Sequence, residues 1–269
     1  MYRSSKDKFI EKLNTLLSED PVLERFFEDD QNYIPELAMK AMELETDMTS
    51  ALGSSELLPK TVKVTLYQQV IHYDSWLMNI DNRWAALAEL VKRIAKITTR
   101  VLPEEEGVAL RFANQAVDES PNLSLQQISN IFESRAWSLE GSATAIRSLQ
   151  LKVLQPMVYS KLADRSLRRP LLVSLLVAGV PSDDMDFPLL YIIKDCGDKL
   201  QAAGYPRKSV KFMISQFGAA DDATPFFSEL RSNKEVADVV FVSSDPLDKR
   251  SAALEASETE LDRWVRRSF

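Results

Sequence analysis

Residues 169–179, RPLLVSLLVAG, are apolar at nearly every position. Successive side chains of a strand point to opposite faces of its sheet, so a strand wet on one face alternates polar and apolar residues. A run without alternation belongs to a strand covered on both faces, which is the situation of a parallel sheet flanked by helices. The stretch from Pro170 to Pro181 is also the longest apolar run in the chain, and it is too short to cross a bilayer. This segment therefore sets the expected fold class and the expectation of no membrane insertion.

The remaining pattern extends the same reading. Val62–Tyr73, VKVTLYQQVIHY, is rich in β-branched and aromatic residues and predicts a strand. Further strands are predicted at 107–114, 209–218 and 236–244. Between them, Trp84, Leu87, Leu90, Val91, Ile94 and Ile97 share one helical face within 82–100. Other helices are predicted near 124–134, 143–163, 187–203, 222–232 and 250–267. Strands alternating with helices predict an α/β, doubly wound, mostly parallel sheet of the Rossmann-like kind, occupying 59–269.

Residues 1–58 read as a helical N-terminal extension. Phe9, Leu13, Leu16 and Leu17 recur at helical spacing, and Pro21 and Pro35 suit the first turns of two further helices. The third of these spans 35–53 and stops at Gly53. The extension has three options: docking on the sheet domain, lying across its ligand end, or recruiting a partner helix. Docking is the expectation.

Composition narrows the function. The net charge of −7 opposes generic binding of nucleic-acid phosphates. Seven glycines in 269 residues, with no Gly-x-Gly-x-x-G and no Walker loop, remove the usual support for a nucleotide or dinucleotide cofactor. Cys196 is the single cysteine, so no intrachain disulfide forms. The start, MYRSSKDKFIEKLNTLL, has no apolar core of a secretory signal, which leads to the expectation of a cytoplasmic protein.

Ligands of doubly wound sheets bind outside the carboxyl ends of the strands. The loops to inspect are thus 72–79, 114–118, 138–144, 178–184 and 217–222. The first contains HYDSWLM, in which a strand ends in Asp-Ser and continues into Trp76, Leu77 and Met78, which bind nothing hard.

Several segments occur in a telling order: TLYQQVIHYDSWLM, DNRWAALAELVKRIAKI, LQLKVLQPMVYSKL, RRPLLVSLLVAGVPSDD and VKFMISQFG. Together, over residues 60–245, the chain resembles the von Willebrand factor A-type (vWA) domain, in particular its intracellular fungal members. The resemblance implies a metal-ion-dependent adhesion site, in which an Asp-x-Ser-x-Ser motif, a Thr and a further Asp hold a divalent cation. Such a small hard cation requires an octahedron of oxygens. On this chain the first Asp falls on Tyr73, the Gly on Trp76 and the second Ser on Leu77, while the first Ser is kept as Ser75. The Thr falls on Ala143 and the last Asp on Ala178. One neutral hydroxyl does not anchor such an ion, so no metal is expected. Asp74 occupies the variable position of the motif, and Asp183 and Asp184 suit the cap of the next helix.

The resemblance thus implies a non-catalytic protein-interaction module that has lost its metal. Its expected partner is a protein, and its binding rim comprises Tyr73, Asp74, Ser75, Trp76, Leu77, Met78, Ala178, Asp183 and Asp184. Two arrangements of the apolar residues fit: a self-filled plug, or an exposed patch. An enzyme or small-molecule binder reusing the vacated pocket is the competing class, with His72, Tyr73, Asp74 and Ser75 as its polar groups. His72 lies too close along one strand to Asp74 and Ser75 to make a triad with them. Cys196 reads as a packed thiol, and the basic segments RSLRRP (165–170) and RWVRR (263–267) as solvated surface.

Overall fold

In the computed structural model, the described residues are 5–28, 32–73, 83–113, 120–134, 145–177, 189–216 and 224–243. Among them, four helices come first: α1 (Ser5–Ser18), α2 (Pro21–Phe27), α3 (Tyr33–Thr46) and α4 (Leu58–Thr65). Then follow β1 (Gln68–Tyr73), α5 (Arg83–Thr99), β2 (Val108–Phe112) and α6 (Leu125–Glu133). One long helical segment comes next, made of α7 (Ala145–Ser148), a π-helical stretch (Leu149–Tyr159) and α8 (Ser160–Ala163). The order closes with β3 (Leu171–Val177), α9 (Leu189–Ala202), β4 (Val210–Gln216), α10 (Thr224–Ser232) and β5 (Val240–Val242).

The strands form one parallel sheet in the order β2-β1-β3-β4-β5. The chain moves from β1 outward to β2, then returns past β1 and proceeds through β3 to β5 in the opposite direction. Right-handed crossovers running in opposite directions land on opposite faces. Accordingly, α5 and α6 join the apolar cluster on one face, and α7 to α10 supply the cluster on the other. Strand β3 feeds both: Leu172 and Leu176 enter the first, while Leu171, Val173, Leu175 and Val177 enter the second. Every residue of β3 is buried, as its unbroken apolar run requires. The fold is a doubly wound α/β sheet.

The predicted strand over 62–73 is corrected at its start. Residues 58–65 are helical, and β1 begins at Gln68. Leu58, Thr61, Val62, Thr65 and Leu66 follow helical spacing, all five are buried, and Pro59 stands in the first turn. Burial of that stripe outweighs the weak helical propensity of β-branched residues. The Gln69 side chain ends the helix by donating to the Val64 and Tyr67 carbonyls at 2.8 and 3.0 Å. The predicted strand over 236–244 shortens to Val240–Val242, because residues 234–239 are turns with Val236 and Val239 packed inward. The helix predicted to end at Gly53 ends at Thr46, and Gly53 closes a separate 3₁₀ turn. A Cβ on Gly53 would stand 2.0 Å from the Leu44 carbonyl oxygen, so this turn packs on α3 only as glycine. The C-terminal helix predicted over 250–267 lies outside the described residues.

Helices α1 to α4 pack into the same apolar cluster as Ile71, Tyr73 and Phe112 of the sheet. Their polar ties run to the amino-terminal end of the strands. Asp20 caps α2 by accepting from Val22 N at 2.9 Å, and its charge acts on Lys211 at the start of β4. Arg169, just before β3, donates to the Tyr33 hydroxyl at 2.8 Å, to Glu106 at 2.6 Å and to Gln68 Oε1. The Tyr33 hydroxyl in turn donates to the Thr65 carbonyl, and the Arg169 guanidinium lies 5.0 Å from the Tyr33 ring centre. One guanidinium thereby joins α3, β1 and the loop before β2 to the entry of β3. Arg169 is buried, so the reading of 165–170 as wholly solvated surface is corrected at this residue. Among the described residues no helix is long and apolar enough to cross a membrane.

Replacing Arg169 leaves Glu106, Gln68 and the Tyr33 hydroxyl without their donor. Arg169→Met should lower the unfolding free energy by about 3 kcal/mol, read from urea titration followed by tryptophan fluorescence. Arg169→Lys should recover less than half of that loss, because an ammonium lacks the planar fork.

Candidate functional site

The sheet order reverses between β1 and β3, and a doubly wound fold opens its ligand crevice at such a reversal. Tyr73, the last residue of β1, stands opposite Leu176, and β3 ends one residue later at Val177. The carboxyl ends of β1 and β3 thus lie side by side. Of the predicted rim, Asp74, Ser75, Trp76, Leu77, Met78, Ala178, Asp183 and Asp184 lie outside the described residues, as does Ala143. Tyr73 is described, and it is 1% exposed, with its ring edge-on to Phe112 at 6.0 Å between centroids. Its ring is part of the core.

Beneath this end of the sheet lies a polar cluster that the sequence did not reveal. His72 stands opposite Arg111 of β2 and Leu175 of β3, and it is fully buried. Its Nε2 lies 3.0 Å from the Ser148 hydroxyl, where α7 passes into the π-helical stretch. Among the described residues its Nδ1 has no partner. Arg111 donates from Nε to the Lys152 carbonyl at 3.2 Å, and from Nη1 to the Leu110 and Ser120 carbonyls at 2.9 and 3.3 Å. Lys152 Nζ donates to the Phe112 and Ala113 carbonyls at 2.7 and 3.0 Å, holding the carboxyl end of β2.

The helix geometry accounts for part of this arrangement. Pro156 sits inside the π-helical stretch and has no N–H to donate. The Lys152 carbonyl, which an α-helix would pair with residue 156, accepts from Arg111 instead of being left to residue 156. π-Helical turns are rare and cluster where a helix must place a side chain off its regular path. Here the path places Ser148 on His72 and Lys152 on the end of β2.

Burial, then the cations of Lys152 and Arg111, push the His72 pKa down to about 3. The imidazole is neutral in the fold, so its hydrogen bond to Ser148 is one between neutral groups. The pair resembles a nucleophile and base in distance alone. Ser148 is 2% exposed and His72 0%, so no substrate reaches either. Cys196 is likewise buried, and burial pushes its thiol up to about 12. Among the described residues no three His, Cys, Asp or Glu side chains gather as a metal site requires.

Of these groups, Lys152 is one of two lysines within LQLKVLQPMVYSKL, a segment that marks the order of elements and not this residue. Arg111 carried a weak signal as the charged residue in GVALRFAN. Ser148 carried none. The chain matches no known protein family, and no curated protein or solved structure matches it.

Below pH 6.5 an unfolded chain protonates its histidine while the fold resists. The stability that neutral His72 maintains above that pH is therefore lost as the pH falls toward 3. Between pH 6 and 4, His72→Asn should flatten the stability profile relative to the parent by about 1.4 kcal/mol per pH unit, measured by urea denaturation at each pH. Cys196 should react with a maleimide at pH 8 only at the rate of unfolding, so its labelling should accelerate steeply near the urea midpoint.

Proposed function

We propose that the chain is a non-catalytic protein-interaction module. It is a vWA-like domain of the intracellular fungal type, working in the cytoplasm, whose strand-end metal site has given way to carbon. It binds a protein partner, and no nucleic acid, through residues 74–78 and 178–184. The observation that carries the reading is the register of β1 and β3. Tyr73 stands opposite Leu176, so the two segments that align with the metal-binding loops of vWA domains leave neighbouring strands at the reversal point. At the position aligned with the first carboxylate ligand, the chain carries a tyrosine whose ring belongs to the core. Trp76, Leu77 and Met78 follow within the next few residues, and large apolar side chains of this kind dominate the affinity of protein interfaces.

The test is site-specific photocrosslinking in extract of the source cell. A benzophenone amino acid at Leu77 should give a discrete crosslinked protein product. The same group at Met48, which is 95% exposed on the helical layer, should give none. Trp76→Ala with Asp183→Ala should abolish the product from position 77 without moving the melting temperature. Magnesium or manganese in millimolar excess should leave both the product and the melting temperature unchanged. Equal crosslinking from positions 77 and 48, or a saturable thermal shift with either ion, would refute the module as described.

A further inference from the structure

At the amino-terminal end of the sheet, opposite the strand-end rim, two concavities adjoin. The first, of about 530 Å³, is lined by Arg25, Phe26, Arg165, Leu167, Arg168 and Tyr205, with Ala203 and Gly204 completing it. Three of its lining residues are arginines and none is acidic, although the chain as a whole carries a net charge of −7. All three arginine side chains are exposed. Among the described residues the side chains of Arg165 and Arg168 make no hydrogen bond or ion pair, and Arg25 lies 5.5 Å from the Tyr205 ring centre. Phe26 stacks on the same ring, 5.7 Å from Tyr205 between centroids. The second concavity, of about 520 Å³, shares Leu167 and Arg168 with the first and adds Lys161 and Arg169. Its acidic residue, Glu106, is already joined to Arg169 at 2.6 Å.

The backbone at Arg165 is the second observation. Helices α8 and α9 end beside the first concavity in the same way. In α9, Gly204 takes a left-handed φ of +81°, while Gly204 N donates to Gln201 O at 3.0 Å and Tyr205 N to Leu200 O at 2.9 Å. In α8 the equivalent bonds are Arg165 N to Leu162 O at 3.2 Å and Ser166 N to Lys161 O at 2.8 Å. This is a helix stop that favours glycine in its left-handed position. Arg165 occupies that position with φ +53°. A cation near a helix carboxyl end is favourable, but Lys161 and Lys199 already stand in the last turns of α8 and α9. The dipole therefore accounts for those lysines and leaves unexplained an arginine held in a glycine backbone.

From this we infer that the paired concavities bind a small molecule carrying at least two phosphate groups. One phosphate sits among Arg25, Arg165 and Arg168, and the next is reached by Lys161 and Arg168. Guanidinium forks match phosphate oxygens bidentately, and cations without internal counter-charge are best satisfied by a multivalent anion. The size of each concavity is that of a small-molecule site. The ligand is either a free polyphosphorylated metabolite or the phosphorylated headgroup of a lipid, and the chemistry that recognises it is the same. This site is independent of the strand-end reading.

Isothermal titration calorimetry on the full chain tests it, with inorganic phosphate, pyrophosphate and inositol hexakisphosphate as probes. Pyrophosphate and inositol hexakisphosphate should bind saturably and at least about tenfold more tightly than phosphate. Arg165→Gly should weaken both by about tenfold or more, and Arg168→Gln likewise, while Lys194→Gln on the remote face of α9 should not. Arg165→Gly relaxes the backbone, so its melting temperature should equal or exceed that of the parent, and a loss of binding is not a loss of fold. Cosedimentation with phosphatidylcholine vesicles, plain or containing phosphatidylinositol bisphosphate, separates the sources. Enrichment on the phosphoinositide vesicles, competed by inositol hexakisphosphate, identifies a lipid headgroup; binding of the soluble probes alone identifies a free metabolite. No saturable binding of any polyphosphate, or binding untouched by both arginine substitutions, overturns the inference.

Discussion

The fold rests on the two-sided burial of β3. It is the middle strand of the order, it pairs with β1 on one side and β4 on the other, and its seven residues are all buried. A strand in that position has no solvent face, so both of its sides must meet helices that carry apolar stripes. The reversal of chain direction beside it follows from the same demand. Crossovers to β2 and to β4 depart in opposite senses, and their fixed handedness distributes helices to the two faces. Everything functional that can be argued for this molecule takes its position from that strand, since both ends of the sheet are defined by where it begins and where it stops.

The two ends are chemically unlike. At the carboxyl end, the buried Arg111 and the half-buried Lys152 donate to backbone carbonyls of β2 and of neighbouring segments, beside a neutral imidazole. Those contacts tie the carboxyl end of β2 to the long helical segment. At the amino end, the buried Arg169 serves the same internal purpose, yet Arg165 and Arg168, its near neighbours in sequence, line open concavities. One short basic segment thus divides its labour: the residue nearest the strand turns in to hold the layers, and the others face solvent.

Much of the architecture was legible because its signals are periodic. The apolar run of β3 and the face of α5 each have one cheap physical interpretation. The start of β1 was misjudged where two periodicities compete. Val62 and Val64 favour a strand by type, while Leu58, Thr61, Val62, Thr65 and Leu66 mark a helix by spacing, and spacing reflects the packing that decides. The polar cluster under His72 was not legible, since it joins residues 72, 111, 148 and 152 from three elements brought together by topology alone. Arg165 was visible as a charge and invisible as a backbone conformation, because a left-handed φ leaves no mark on sequence when the residue is not glycine.

The bond between Tyr33 and Arg169 spans 136 residues of chain. During translation at ~5–20 residues per second, α3 emerges on the order of ten seconds before its guanidinium partner exists. Throughout that interval β3 does not exist, so Ile34, Leu37, Ala38 and Ala41, a buried stripe in the finished molecule, have at most the β1–β2 pair to lie against. The polar lock on the helical layer therefore closes only after the entry of β3 has been synthesised, long after the helices it holds.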